Sequence, residues 1–141
     1  MINLGLSQGS SCLSAIDLNP YIPVSGNGTY KLTVNNSLSS QFYTYTATQI
    51  GTIEMSSAYS NVPGDGTFDS WLRVYDNNCN LIFDENNTPG LFGGAEFSTT
   101  VSIGDTYIFE WVNQEWAGIF DVEFIYHVPV VGENCSNPVS L

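Results

Sequence analysis

The feature that most constrains this chain is an apolar residue at every second position, renewed from Tyr30 to Tyr126 with no window of helical spacing between. A period of two puts alternate side chains on opposite faces of an extended strand. Tyr30, Leu32 and Val34 share one face, Phe42 to Thr48 alternates aromatic residues with Thr, and Ile53 and Met55 continue the pattern. Leu72 and Val74 alternate with Trp71, Arg73 and Tyr75, and Leu81 to Phe83 follows the turn Asn77-Asn78-Cys79-Asn80. Phe97, Thr99, Val101 and Ile103 line another face. The Gly104-Asp105 turn then reads as a hairpin in which Tyr107, Phe109 and Trp111 answer them on the next strand. Phe120, Val122, Phe124 and Tyr126 close the series. Strands with one apolar face must bury it against a second layer. Eight or nine short ones therefore predict an all-β fold, an antiparallel two-sheet β-sandwich that is jelly-roll-like.

A chain of 141 residues is long enough for one such core and leaves no room for a second. Fourteen carboxylates stand against Lys31 and Arg73 alone, for a net charge of -12. Nucleic acid and anionic membrane surfaces both need clustered cations, so neither is an expected partner. No apolar run has the length of a bilayer span, so membrane insertion is not expected, and no export signal opens the chain. Few charges combined with many Asn, Ser, Thr, Gly and Tyr residues suit an extracellular or cell-surface protein. Any signal for export would then lie outside this stretch, with Met1 an added start.

Cysteines occur at positions 12, 79 and 135, an odd number. Cys12-Leu-Ser-Ala-Ile-Asp-Leu18 and Cys135-Ser-Asn-Pro-Val-Ser-Leu141 share their Cys, a β-branched residue and a closing Leu, 123 positions apart. One account makes 12–134 a repeating unit, 1–11 a linker or added start, and 135–141 the beginning of the next repeat or a linker. Each unit then owns two cysteines, which pairs Cys12 with Cys79. The other account is that Cys12 staples Cys135 and the match is chance.

From Phe42 to Phe124 the order of signals resembles the bacterial pre-peptidase C-terminal domain and its relatives, the collagen-binding domains of clostridial collagenases among them. The residues that carry it are Phe42-Tyr43-Thr44-Tyr45 with Ile53-Glu54-Met55, then Phe68-Asp69-Ser70-Trp71-Leu72-Arg73-Val74-Tyr75-Asp76 and its Asn-rich turn. Phe83-Asp84-Glu85-Asn86, Val101 to Phe109 and Gly118-Ile119-Phe120-Asp121-Val122 complete the order. The resemblance covers about two thirds of the chain. It implies a β-sandwich appended to secreted hydrolases or surface proteins, without catalysis of its own; some members bind calcium and some bind polymers.

No enzyme motif occurs. His127 is the sole histidine and lies at a strand end, so a Ser-His-Asp triad has nothing to be built around elsewhere. A glycosidase needs only two carboxylates, but a cleft with subsites is hard to build on short strands. Two other constellations carry the expectations. Asp65 and Asp69 precede the strand at Trp71, and Asp84, Glu85 and Asn86 end the one at Phe83. A tight turn between those strands brings the two groups to one end, an oxygen-rich setting suited to Ca²⁺. Asp76, Asn78 and Asn80 lie at the opposite end and lack the Gly and Glu of an EF-hand loop, so turn chemistry accounts for them.

Aromatic residues give the second constellation. Trp111 falls on an apolar face and reads as core, whereas Trp116 sits in the polar turn Asn113-Gln114-Glu115-Trp116. Trp71, Arg73 and Tyr75 occupy the strand face opposite Leu72 and Val74. An indole flanked by Arg, Asn and Gln offers a sugar ring a surface to stack on and planar polar groups for its hydroxyls. These residues predict a non-catalytic module that binds polysaccharide, neutral sooner than heavily sulfated, as one monomeric unit of a tandem array. The alternative is a structural or adhesive repeat, calcium-stabilised or not, with no small ligand.

Overall fold

The computed structural model describes residues 9–57, 70–86, 94–113 and 118–129. They form nine strands in two sheets packed as a β-sandwich, with almost no helix. The strands are β1 (Ile16–Asp17), β2 (Gly28–Asn35), β3 (Gln41–Thr46), β4 (Gly51–Ser56), β5 (Leu72–Tyr75), β6 (Leu81–Glu85), β7 (Glu96–Val101), β8 (Thr106–Trp111) and β9 (Ile119–His127). Among the described residues no helix is long and apolar enough to cross a membrane.

One sheet has the order β1-β3-β8-β5-β6 and the other β2-β9-β4-β7. The antiparallel pairs are nested: β5 pairs with β6, β4 with β7, β3 with β8 and β2 with β9. This is a single long hairpin rolled over itself, the jelly-roll arrangement. Lateral pairs β4 with β9 and β5 with β8 then close each sheet. The alternation read from sequence supplies the core. Tyr43, Tyr45, Ile53, Met55, Leu72, Val74, Phe97, Phe109, Trp111, Phe120, Val122, Phe124 and Tyr126 all point inward and are buried. Rings meet across the layers, as in Tyr45–Phe124 at 4.8 Å and Trp111–Phe120 at 5.4 Å between centroids.

Two local expectations are corrected. The Gly104-Asp105 turn does not close a hairpin, because β7 pairs with β4 whereas β8 pairs with β3 and β5. The turn carries the chain from one layer to the other, and the Phe97 ring meets those of Tyr107 and Phe109 across the core at 6.0 and 6.2 Å, tilted to the first and edge-on to the second. A tight turn with Gly104 at φ 94° serves either path, so local sequence does not separate them. Ile103 accordingly leaves the apolar face at the end of β7 and is 69% exposed in the turn.

Ahead of β2, residues 9–22 run along the edge of the five-stranded sheet as an N-terminal strap. A 3₁₀ turn over Cys12–Ser14 leads into β1, which pairs parallel with β3 through Ile16 and Tyr43. Gly9 closes the strap: its carbonyl accepts from the Phe42 N–H at 2.7 Å and its own N–H donates to the Ser14 carbonyl at 2.5 Å. Leu18, 1% exposed, plugs the core from this segment. The Asn19 amide grips β3 twice, donating to the Thr46 carbonyl and accepting the Thr46 N–H.

Of the two cysteine pairings left open by sequence, the structure joins Cys12 to Cys79, with Cα atoms 6.1 Å apart. Cys135 lies outside the described residues. Closing a loop across 67 positions removes unfolded-chain entropy worth roughly 4 kcal/mol. Strands lie about 4.8 Å apart, so β3 and β5 are separated by two such steps and the strap has to bridge β8 to reach Cys79. Cys79 itself sits at φ 63° in the β5–β6 turn. Asp76 holds that turn, accepting the N–H groups of Asn78 and Asn80 at 2.8 and 3.0 Å. Those two donors, the Asn80 one foremost, hold its carboxyl below the usual aspartate range.

Candidate functional site

Four strands of the five-stranded sheet present one row of outward side chains. Register sets Phe42 on β3 beside Glu110 on β8, Glu110 beside Arg73 on β5, and Arg73 beside Asp84 on β6. Trp71 and Tyr75 flank Arg73 on the same face, two positions away in each direction, as alternation requires.

The polar groups of the row are bound to one another. The Arg73 guanidinium lies 4.5 Å over the Trp71 ring. The Trp71 indole N–H donates to Asp84 Oδ1 at 2.5 Å, and Asp84 Oδ2 is 3.6 Å from Arg73 Nε. On the other side the Tyr75 hydroxyl donates to Glu110 Oε1 at 2.5 Å, which also lies 3.9 Å from Arg73 Nη1. Tyr75 completes the strip through its ring, 6.2 Å from that of Phe42. Burial, and next the hydrogen bond to Glu110 and its negative charge, push the Tyr75 hydroxyl up to about 12.

Glu110 is 7% exposed and Ile108, the next outward residue of β8, is 6% exposed. A carboxylate so far removed from water needs compensating partners, which Arg73 and Tyr75 provide. The sequence reading missed Glu110 and Phe42, although a lone acid between Phe109 and Trp111 marks an outward position inside an apolar strand.

The other expected residues fall as follows. Asn113 is built into the fold: its amide donates to the Asn36 carbonyl and its N–H to Ser40 Oγ. Asn36 in turn accepts the Gly118 N–H and donates to the Val112 carbonyl, so this knot pins the stem of the β8–β9 connection. The Val112 N–H donates to the Trp71 carbonyl at 2.9 Å, which sets that stem next to Trp71. Gln114 and Trp116 lie outside the described residues. So do Asp65 and Asp69.

Asp84 and Glu85 are consecutive in β6 and project to opposite sides, Asp84 toward Trp71 and Arg73, Glu85 on the side of Leu72. Asn86 follows at the strand end. Among the described residues no three His, Cys, Asp or Glu side chains gather within reach of one metal ion. His127 ends β9 on the outer face of the four-stranded sheet, beside Thr52.

No protein-family model and no curated protein matches this chain. Similar solved structures include the pre-peptidase C-terminal domain of a collagenase from Bacillus anthracis, the family that the order of motifs resembles. That domain has 12% identity and a TM-score of 0.46, over 70% of this chain and 88% of that one. A family 35 carbohydrate-binding module from Clostridium thermocellum has 14% identity and a TM-score of 0.37, over 70% and 90%. A fucose-binding module from Streptococcus pneumoniae has 9% identity and a TM-score of 0.39, over 71% and 73%. At such identities and scores, these likenesses carry no argument about a ligand.

Proposed function

We propose that this chain is a non-catalytic, extracellular module that holds its parent protein on a polysaccharide through the outer face of the five-stranded sheet. The observation that carries the proposal is the fixed indole of Trp71, held by Arg73 above its ring and by Asp84 at its N–H. An aromatic ring already locked by neighbours loses little rotamer freedom when a pyranose stacks on it. Arg73, over one face of the ring, and Asp84, at its N–H, keep 29% and 43% of their side-chain surface to meet hydroxyl groups of a sugar on the other face. Only two cations accompany fourteen carboxylates, which favours a neutral or weakly charged polymer. The Cys12–Cys79 disulfide supports an oxidising, extracellular setting.

Affinity gels containing a panel of neutral polysaccharides test this. Retardation of the wild type, lost in a Trp71→Ala variant that still melts cooperatively as a folded domain, is the expected result. Trp116→Ala asks the same of the β8–β9 connection. A wild type that runs freely through every gel ends the proposal. It would favour a structural repeat, a reading that the mutual saturation of Trp71, Arg73, Tyr75 and Glu110 also supports.

A further inference from the structure

The N-terminal strap gives a structural reason for each residue it shares with the C-terminal stretch, and shows that the sequence match reaches further than Cys to Leu. Gly9 has φ 84°, where any side chain is strained, and a Cβ there would lie 2.8 Å from Ile16 Cδ1, so glycine is favoured. The residue 123 positions on is Gly132. Ser11, at the N-cap of the 3₁₀ turn, is matched by Asn134, another capping residue type. Cys12, bonded to Cys79, is matched by Cys135. Ile16, packed against the core from β1, is matched by Val139, and buried Leu18 by Leu141.

The differences are as informative. Leu13, replaced by Ser136, is 94% exposed, and Asp17, replaced by Ser140, is exposed as well. Ala15, replaced by Pro138, has φ -60° and ψ 145°, angles that proline adopts without strain. Half-buried Ser10 and Ser14, the latter closing the capping box with Ser11, are matched by Glu133 and Asn137, so the stretch keeps its glycine, cysteine and inward apolar positions and varies at the others.

We infer that residues 132–141 are the N-terminal strap of a following copy of this unit. In that copy Cys135 bonds to the counterpart of Cys79, and Leu141 fills the hole that Leu18 fills here. Cys135 is then a structural half-cystine. Only residues 128–131 separate the end of β9 from Gly132, five steps of the chain that reach at most about 18 Å. The partner surface is the β3 edge and β5–β6 turn of a second copy of this domain.

The test extends the full chain by appending a second copy of residues 19–134 directly after Leu141. That second unit has no strap except 132–141. Refolding proceeds with glutathione disulfide, which accepts two electrons and two protons from each pair of thiols and leaves as two reduced glutathiones. Peptide mapping is expected to find Cys12 bonded to Cys79, and Cys135 bonded to the appended counterpart of Cys79. The calorimetric unfolding enthalpy should be about twice that of the single unit. Gly132→Val or Leu141→Asp should return it to the single-unit value while leaving the Cys12–Cys79 bond intact. A control with residues 9–134 appended, which brings its own strap, shows whether two units fold in tandem at all. If that control folds and the 19–134 fusion does not, the inference fails. It fails equally if the second unit folds with Cys135 open to alkylation, or if Leu141→Asp leaves the enthalpy doubled.

Discussion

The two outer faces of the sandwich handle charge in opposite ways. On the five-stranded sheet the two carboxylates of the Arg73 row have counterparts: Glu110 has Arg73 and Tyr75, and Asp84 has Arg73 and Trp71. On the four-stranded sheet, Glu54 of β4 lies in the field of Glu96 and Glu123 on the flanking strands β7 and β9. Burial first, then the charge of Glu96 and a hydrogen bond with it, raise the Glu54 carboxyl; Glu123 adds to this and His127 opposes it. The Arg73 row is satisfied from within, whereas Glu54 holds its charge against its preference. The difference shows that alternation alone dictates which side chains point outward, while strand order decides which of them become neighbours.

The largest effect should come from removing the cation of the first face. Arg73→Ala leaves Glu110 buried beside a hydroxyl alone, and we expect a loss of about 2 kcal/mol in denaturant melts. That is less than a fully buried pair costs, because Arg73 retains solvent contact. Arg73→Met with Glu110→Gln should recover most of it, and a double variant as unstable as Arg73→Ala would mean that Glu110 is not what the cation serves.

Tyr75 gives a smaller effect with a pH signature. Its folded pKa of about 12 stands above the ordinary 10.0, so its stabilising contribution is complete below pH 10 and is lost as pH rises from 10 through 12. Tyr75→Phe should cost about 1 kcal/mol at pH 7 and flatten this alkaline limb. An ultraviolet titration in which every tyrosine ionises near 10 in the folded protein would contradict the Tyr75–Glu110 bond.

The smallest effect belongs to the second face. Because the Glu54 carboxyl is raised, its contribution is complete below the ordinary glutamate range and is lost as pH rises through the folded value. Glu54→Gln should therefore stabilise at pH 7 by a few tenths of a kcal/mol and show no advantage near pH 4. Equal melting differences at both pH values would show that Glu54 is not crowded by its neighbours.

Much of this was legible in the chain. Inward residues such as Val34, Leu72 and Val122 follow from alternation, because a strand leaves a side chain only two directions. The outward placement of Trp71, Arg73 and Tyr75 follows equally. The pairing of Tyr75 with Glu110 does not, since it depends on β5 lying beside β8, strands about 35 positions apart whose adjacency no local pattern states. The misread Gly104-Asp105 turn has the same origin: its residues allow a sharp reversal and say nothing about which layer receives the chain. The structural demand on Gly9 was invisible for a third reason, since its conflict with Ile16 exists only once the strap is folded.

The bond between Cys12 and Cys79 also determines how the module bears load. A pull arriving from the N-terminal side passes through the two sulfur atoms into the β5–β6 turn and bypasses everything between. Strands β1 to β5 lie inside that closed loop, so they add nothing to the length released when the domain is stretched. At about 3.5 Å per residue, the 67 positions withhold roughly 230 Å of extension. One covalent link thereby sets the greatest length to which the unit can be drawn out.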